Sequence, residues 1–445
     1  MRQKYVLIMI FFFSLSEIKS AIDFTASGTG YTVSGDVVTI SGGGTYDLEN
    51  SQTNKKIIVS KSCTLNMNTF SLKNSGSLTP ILISASQTLT LVLTGKSTLE
   101  DSATNEFDGI IYLQKGASLI ISGTGSLEFT PNKLMAINGT DSTSLTVNDG
   151  ATLNVHTFLS NGGGIYLRSS IIFNNARYTC TARKNAIDSE GTIKLIKGQY
   201  SLTSETGKGI QSENELFFGE ENGNEKDLYI VIKTNDKCIK AKKIVIYSGN
   251  LGIETVGDGI IVDSLTYKGG FLGIISNGDG ISANGDIKIS GGLINIYSGT
   301  NSDVQPSEQN GLLEITGGTV LATGVSSMAK VTASTTQKEK IYRGRILAGG
   351  DLIAKETGGN KITAITVPKT IYYLYFNHAN DFVITLNGNQ LPLIEASSDK
   401  QPSSGNPTRS SDDDDKDEDD PVVIKANGYF IKRFNIFWLI SLLIF

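Results

Sequence analysis

The chain has 445 residues, with 48 Gly, 8 Pro, 2 His and 3 Cys, and 39 Lys+Arg against 44 Asp+Glu for a net charge of −5. That balance excludes a nucleic-acid reader built on a basic face, and two histidines, His156 and His378, cannot make a three-His zinc site. Cys63, Cys180 and Cys238 are too widely spaced for a disulfide framework or a zinc knuckle and read as inward fillers.

In chain order, the first element is an address. Residues 1–20 open with Arg2 and Lys4 and continue into an apolar run from Val6 to Phe13, the pattern of a secretory signal peptide cleaved near Ser20 or Ala21. The run falls well short of the ~20 apolar residues that a membrane span needs.

The body, 21–330, reads as a repeat array. Small residues followed by isoleucine recur at Ile187, Ile210, Ile239, Ile260 and Ile281, with weaker copies at Gly109-Ile110, Ala136-Ile137 and Gly164-Ile165. Runs such as Ile193-Lys194-Leu195 and Ile287-Lys288-Ile289 alternate with period 2, which argues for strands and against a helical repeat. The frame of leucine-rich repeats is missing. Three short strands joined by tight turns would make one coil of a parallel β-helix of about 21–22 residues per coil, with Gly269-Gly270 and Gly291-Gly292 at corners. From about Val33 to Ala322 this predicts roughly a dozen coils and a rod ~60 Å long.

The pattern then changes. Ile362 to Val367, Ile371 to Phe376 and Phe382 to Leu386 read as strands, the last leading into the turn Asn387-Gly388. Residues 331–395 are expected to form a β-rich C-terminal cap that blunts the end of the solenoid. Residues 396–428 read as a solvated linker, whose run Asp412 to Asp420 repels itself. Residues 429–445 end in an apolar block that resembles a glycolipid-anchor signal, with a short tail anchor as the alternative.

The steps Gly257-Asp258-Gly259-Ile260 and Gly278-Asp279-Gly280-Ile281, the run Ile287 to Gly292 and the exit Ile315 to Val320 resemble the Cthe-type carbohydrate-binding family of right-handed parallel β-helices. The resemblance is good over about 185–330 and loose over 30–184. It implies a secreted, all-β solenoid that binds acidic plant-type polysaccharide or cellulose and carries calcium.

Stacking converts a residue repeated at the period into a column. Two positions before the anchors, Asp258 and Asp279 would lie one coil apart, about 5 Å from each other. Calcium would neutralise such a pair, with Asp236 contributing one place off register; a column paired with lysines such as Lys237 is the alternative. Tyr247, Tyr267 and Tyr297 are candidate aromatic faces for a sugar, although their offsets from the anchors differ, and ordinary half-buried strand tyrosines are the alternative. Lys240, Lys242 and Lys243 could pair with a uronate. Asn138-Gly139-Thr140 is a glycosylation sequon.

The expectation is therefore a monomeric cell-surface protein that binds polysaccharide without cleaving it. Tyr247, Tyr267 and Lys242 would touch the ligand, Asp236, Asp258 and Asp279 would hold calcium, and Asn138 would carry a glycan. No nucleic acid is expected as a partner, and the membrane contact would be the C-terminal anchor. A rigid adhesion spacer and a polysaccharide lyase or hydrolase remain the alternatives.

Overall fold

The computed structural model describes residues 20–48, 51–75, 79–101, 109–131, 135–157, 162–299, 304–306, 311–324, 331–333 and 337–396. The signal peptide up to residue 19, Asp108, the acidic linker beyond 396 and the terminal apolar block lie outside the described residues.

The described chain is almost entirely strand, with a single short 3-10 turn at Glu225–Asp227. Parallel strands stack as a solenoid of about 11 turns. Each regular turn supplies one strand to each of three parallel sheets. The first sheet runs through Gly109–Leu113, Met135–Gly139, Gly163–Leu167, Ile187–Ser189 and Ile210–Ser212. The second runs through Thr88–Leu93, Ser118–Gly123, Ser144–Val147, Ser170–Phe173, Thr192–Leu195 and Glu215–Phe218. The third includes Ala176–Ala182, Gly198–Ser204, Leu228–Thr234, Asn250–Thr255 and Phe271–Ser276.

Alternation along each strand decides what is buried. In Thr88–Leu93 the leucines Leu89, Leu91 and Leu93 point inward and are fully buried, while Thr88, Thr90 and Val92 face out. No coil can bury that face alone, so neighbouring coils close a continuous apolar column. Each fully buried Leu or Ile contributes about 1.5–3 kcal/mol relative to exposure. The anchor isoleucines stack as the period predicts, from Ile165 on Ile187 through Ile210, Ile239 and Ile260 to Ile281.

Two details differ from the sequence expectation. Ile111, not Ile110, stacks on Ile137, and Gly109 lies beside Met135. Coil length also varies: the step from Leu89 to Leu119 is 30 residues, whereas that from Leu265 to Ile287 is 22. Insertions at the corners leave the ladder intact because the corners lie outside it.

Gly270 shows why the corners need glycine. It has φ +87°, and a Cβ there would run into the carbonyl of Gly249 in the coil beneath. Where the third sheet turns back to the first, Ser204, Thr234, Thr255, Ser276 and Ser298 form a buried hydroxyl column. Ser276 Oγ and Ser298 Oγ both donate to the Gly278 carbonyl, at 3.0 and 2.8 Å. These hydroxyls satisfy corner carbonyls that the strand ladder leaves free.

Beyond the last coils the chain turns antiparallel. Ile371–His378 pairs with the end of Leu313–Gly324 and with Lys338–Ile346. Asp351–Glu356, Lys361–Thr366, Phe382–Leu386 and Asn389–Gln390 form a separate four-stranded sheet. Asn387 and Gly388 both have positive φ, 48° and 84°, as a two-residue hairpin turn requires. This sheet lies over the outside of the third sheet, where Leu352, Ile365, Phe376 and Phe382 bury Tyr297 and Leu321. One outward column of that sheet changes character accordingly, from Thr181, Thr203, Lys233 and Glu254 to Ile275 and Tyr297.

Candidate functional site

First-sheet strands are short, and most show a single outward position immediately after the anchor. Down the solenoid that position holds Leu82, Tyr112, Asn138, Tyr166, Asp188, Gln211, Lys240, Ile261 and Ser282, all in register. Two residues further on, where the chain leaves for the second sheet, come Thr140, Arg168, Glu190, Glu213, Lys242 and Asp263. The two columns form a polar ribbon whose side chains repeat at the ~4.8 Å spacing of strands.

The ribbon is cross-linked by its own side chains. Tyr166 Oη donates to Glu190 Oε1 at 2.6 Å, and Arg168 Nη1 donates to Asp141 Oδ1 at 2.8 Å. Arg168 Nε lies 3.4 Å from Glu190 Oε1. Asn185 Nδ2 donates to Asp188 Oδ2 at 2.7 Å, and Gln211 Nε2 to Glu213 Oε1 at 2.8 Å. Burial pushes the Asp188 carboxyl above its usual range; the Asn185 amide pulls the other way and the charge of Glu213 adds to the rise. Burial, then the hydrogen bond and charge of Glu190, raises the Tyr166 phenol. These bonds hold amide, carboxylate, guanidinium and phenol groups in fixed positions, the donors and acceptors that sugar hydroxyls require. Among the described residues, Lys240 and Lys242 form no ion pair and extend the ribbon with positive charge.

The residues singled out from sequence separate onto three corners and the core. Lys242 and Asn138 lie on the ribbon, Asn138 half-buried between Tyr112 and Tyr166. Tyr247 sits at the corner between the second and third sheets, with Lys268 Nζ 4.9 Å from its ring centroid. Tyr267 is a correction: it is fully buried, and its hydroxyl donates to the carbonyls of Gly270 and Leu293 at 2.7 and 3.1 Å. It cannot offer a face to a ligand, because alternation from Leu265 turns it inward. Tyr297 is likewise closed off, under the cap.

Asp236, Asp258 and Asp279 occupy the third-to-first corner, and Asp258 and Asp279 lie in successive coils as expected. One carboxylate oxygen and the backbone carbonyls of this corner accept protein donors. Asp258 Oδ1 accepts the Asp279 N–H at 3.0 Å. The Asp236 carbonyl accepts from Thr234 Oγ1 at 2.9 Å and from Thr255 Oγ1, and those of Asp258 and Asp279 accept from Cys238 N and Gly259 N. Among the described residues no three His, Cys, Asp or Glu side chains converge as metal ligands. Asp258 uses a carboxylate oxygen within the fold, on the backbone of the next coil. A structural role explains it: Asn185 Oδ1 accepts the Lys208 N–H at 2.7 Å at the same place in an earlier coil.

Residues 34–225 match the family model described as carbohydrate-binding domain-containing protein. The match takes in the ribbon from Tyr112 to Glu213 and stops before Lys240 and Lys242. The sequence resemblance, placed best at 185–330, thus corresponds to a match lying mostly upstream. The period is plainest to the eye where coils have equal length, whereas the earlier coils hide it behind corner insertions. No curated protein matches the chain. A solved structure, the polysaccharide lyase-like protein from C. thermocellum (gadolinium derivative), aligns at 19% identity over 66% of this chain and 94% of its own, with a TM-score of 0.25. That superposition is too weak to bear on the function.

The sequence reading missed Tyr112, Tyr166, Arg168, Asp188 and Glu190. A signal existed for part of it: the residue after the anchors Ile165 and Ile187 is Tyr166 and Asp188, whereas Tyr112 follows Ile111, one place beyond the anchor read in the sequence.

Proposed function

We propose that the protein binds a plant-type, acidic polysaccharide along the first-sheet ribbon and does not cleave it. The observation that carries this reading is the in-register polar column from Tyr112 to Gln211, which lies inside the stretch matched by the carbohydrate-binding family. A polymer with its own repeat suits a surface whose side chains recur at a fixed step. Tyr112 and Tyr166 supply ring faces, the amides and carboxylates take hydroxyls, and Lys240 and Lys242 take uronate groups. Calcium would enter only as an ion that the glycan's own carboxylates ligate. The leader and the C-terminal apolar block belong to the same reading, as the means of export and of tethering at the cell surface.

The test is affinity electrophoresis of the protein in gels containing polygalacturonate, with and without a chelator. Tyr166→Ala and the double variant Lys240→Ala/Lys242→Ala are expected to weaken retardation about tenfold or more, an effect of about 1.4 kcal/mol. Ultraviolet absorbance from unsaturated product should stay flat. Unretarded wild-type protein, or variants retarded as strongly as wild type, would overturn the assignment, and rising absorbance would make the protein a lyase.

A further inference from the structure

The sequon Asn138-Gly139-Thr140 is a motif that the ribbon reading leaves unused, and the fold places it on the ribbon itself. The chain has no other Asn-x-Ser/Thr step except at Asn406, where Pro407 excludes it, so an N-linked sugar has a single address. Asn138 stands in register between Tyr112 in the coil beneath and Tyr166 in the coil above. Alternation turns it outward between the buried Ile137 and Gly139. Gly109 keeps room beside it, since a Cβ there would come within 2.9 Å of the Asn138 Cβ. In the closed ladder the segment is tied down. Met135–Gly139 is paired on both sides, the Thr140 N–H donates to the Leu113 carbonyl at 3.0 Å, and the Thr140 carbonyl accepts from Thr143 Oγ1 at 2.6 Å. An enzyme that must grip this backbone has to act before the next coil, Gly163–Leu167, stacks on it, while the chain emerges N-terminus first.

We propose that part of the exported chains carry an N-linked glycan on Asn138, and that its first sugars cover Tyr112 and Tyr166 and close the upstream half of the ribbon to polymer. In the transfer, Asn138 Nδ2 forms a bond to C1 of the first sugar while the bond from C1 to a lipid-linked pyrophosphate breaks. The amide gives up one proton, and nothing is oxidised or reduced. Neighbouring coils lie ~4.8 Å apart, so a sugar ring rooted at Asn138 overlies the side chains one step to either side. Such a modification is bulky and stays at the surface. Lys240 is four coil steps further along, through Tyr166, Asp188 and Gln211, or about 19 Å. The glycan thus covers the aromatic end of the ribbon and leaves the lysine end open. Because transfer competes with stacking, one sequence yields an open and a closed form, fixed when the chain is made. This gate rests on the ribbon reading and on export through the leader.

The experiment secretes the full chain from a eukaryotic host with and without an inhibitor of lipid-linked sugar synthesis. The mass of each product is measured before and after peptide N-glycosidase, and both are run in polygalacturonate gels. The untreated product is expected to contain a fraction with one glycan, at Asn138, and the glycan-free protein should bind polygalacturonate about tenfold more tightly than that fraction. Thr140→Ala removes the sequon but keeps Asn138 and should abolish the mass shift, whereas Thr140→Ser should preserve it. Thermal melting of each product establishes that it is folded. The gate is refuted if Asn138 leaves the host unmodified, or if the glycosylated and glycan-free forms are retarded alike. In either case retardation of the glycan-free protein keeps the ribbon reading standing; if that protein is not retarded, both fall.

Discussion

The aspartate corner gives the sharpest test of structural against metal-binding roles. Asp258 Oδ1 accepts the Asp279 N–H at 3.0 Å, and Asn185 does the same for Lys208 at 2.7 Å in an earlier coil. Replacing Asp258 by Ala removes the acceptor; replacing it by Asn keeps an oxygen in the place where an earlier coil already uses an amide. A hydrogen bond to a charged group contributes about 1.5–3 kcal/mol. Asp258 is half-exposed, so screening places the value at the low end. About 1.5 kcal/mol corresponds to a roughly tenfold change in a local opening equilibrium. Long solenoids need not unfold in one step, so a global midpoint is a blunt measure. Amide hydrogen exchange at Asp279 reads the bond directly. Asp258→Ala should exchange there roughly tenfold faster than wild type, and Asp258→Asn less than threefold faster. Calcium should change neither rate. If calcium slowed exchange in wild type, and Asp258→Asn lost that protection as completely as Asp258→Ala, the corner would be a metal site and the structural role of Asp258 would be wrong.

Three further outcomes are expected. Burial pushes the Cys63 thiol up to about 11 and that of Cys180 up to about 12, and raises Cys238 as well. A thiol reagent at pH 8 should therefore label none of them until denaturant is added, and stability should hold below the ordinary thiol range and fall as pH rises through these values. The raised Asp188 carboxyl binds its proton more tightly in the folded state, so its contribution is full below the ordinary Asp value and is lost as pH rises above it. Asp188→Asn should then raise the melting temperature at pH 7 but not at pH 3, and an equal rise at both would show that the carboxyl is not perturbed. Asn295 Nδ2 donates to Thr363 Oγ1 at 3.0 Å between solenoid and cap, and both residues are buried. Thr363→Val should cost about 1–3 kcal/mol in urea unfolding by stranding the Asn295 amide, with part of that recovered in Asn295→Leu/Thr363→Val.

Much of the fold was legible because its signals are local. Alternation at Ile287-Lys288-Ile289, the glycine pairs at Gly269-Gly270 and Gly291-Gly292, and the Asn387-Gly388 turn each follow from a few adjacent residues. The anchors Ile187 to Ile281 stack because a solenoid repeats the same contact in every coil. The site was harder to read. Tyr267 looks in sequence like Tyr112, and only the phase of its strand, with Leu265 inward, sends it to the core while Tyr112 faces out. Tyr297 has the outward phase, yet a sheet formed dozens of residues later covers it.

The amino-acid order by itself determined the strand period, the inward face and the corner glycines, since these depend on backbone sterics and on neighbours two residues away. Tertiary structure alone decided which coils align across insertions of unequal length, which outward face the cap seals, and that Asp258 accepts the backbone N–H of the next coil. Those outcomes depend on contacts between segments whose separation along the chain carries no record of their distance in space.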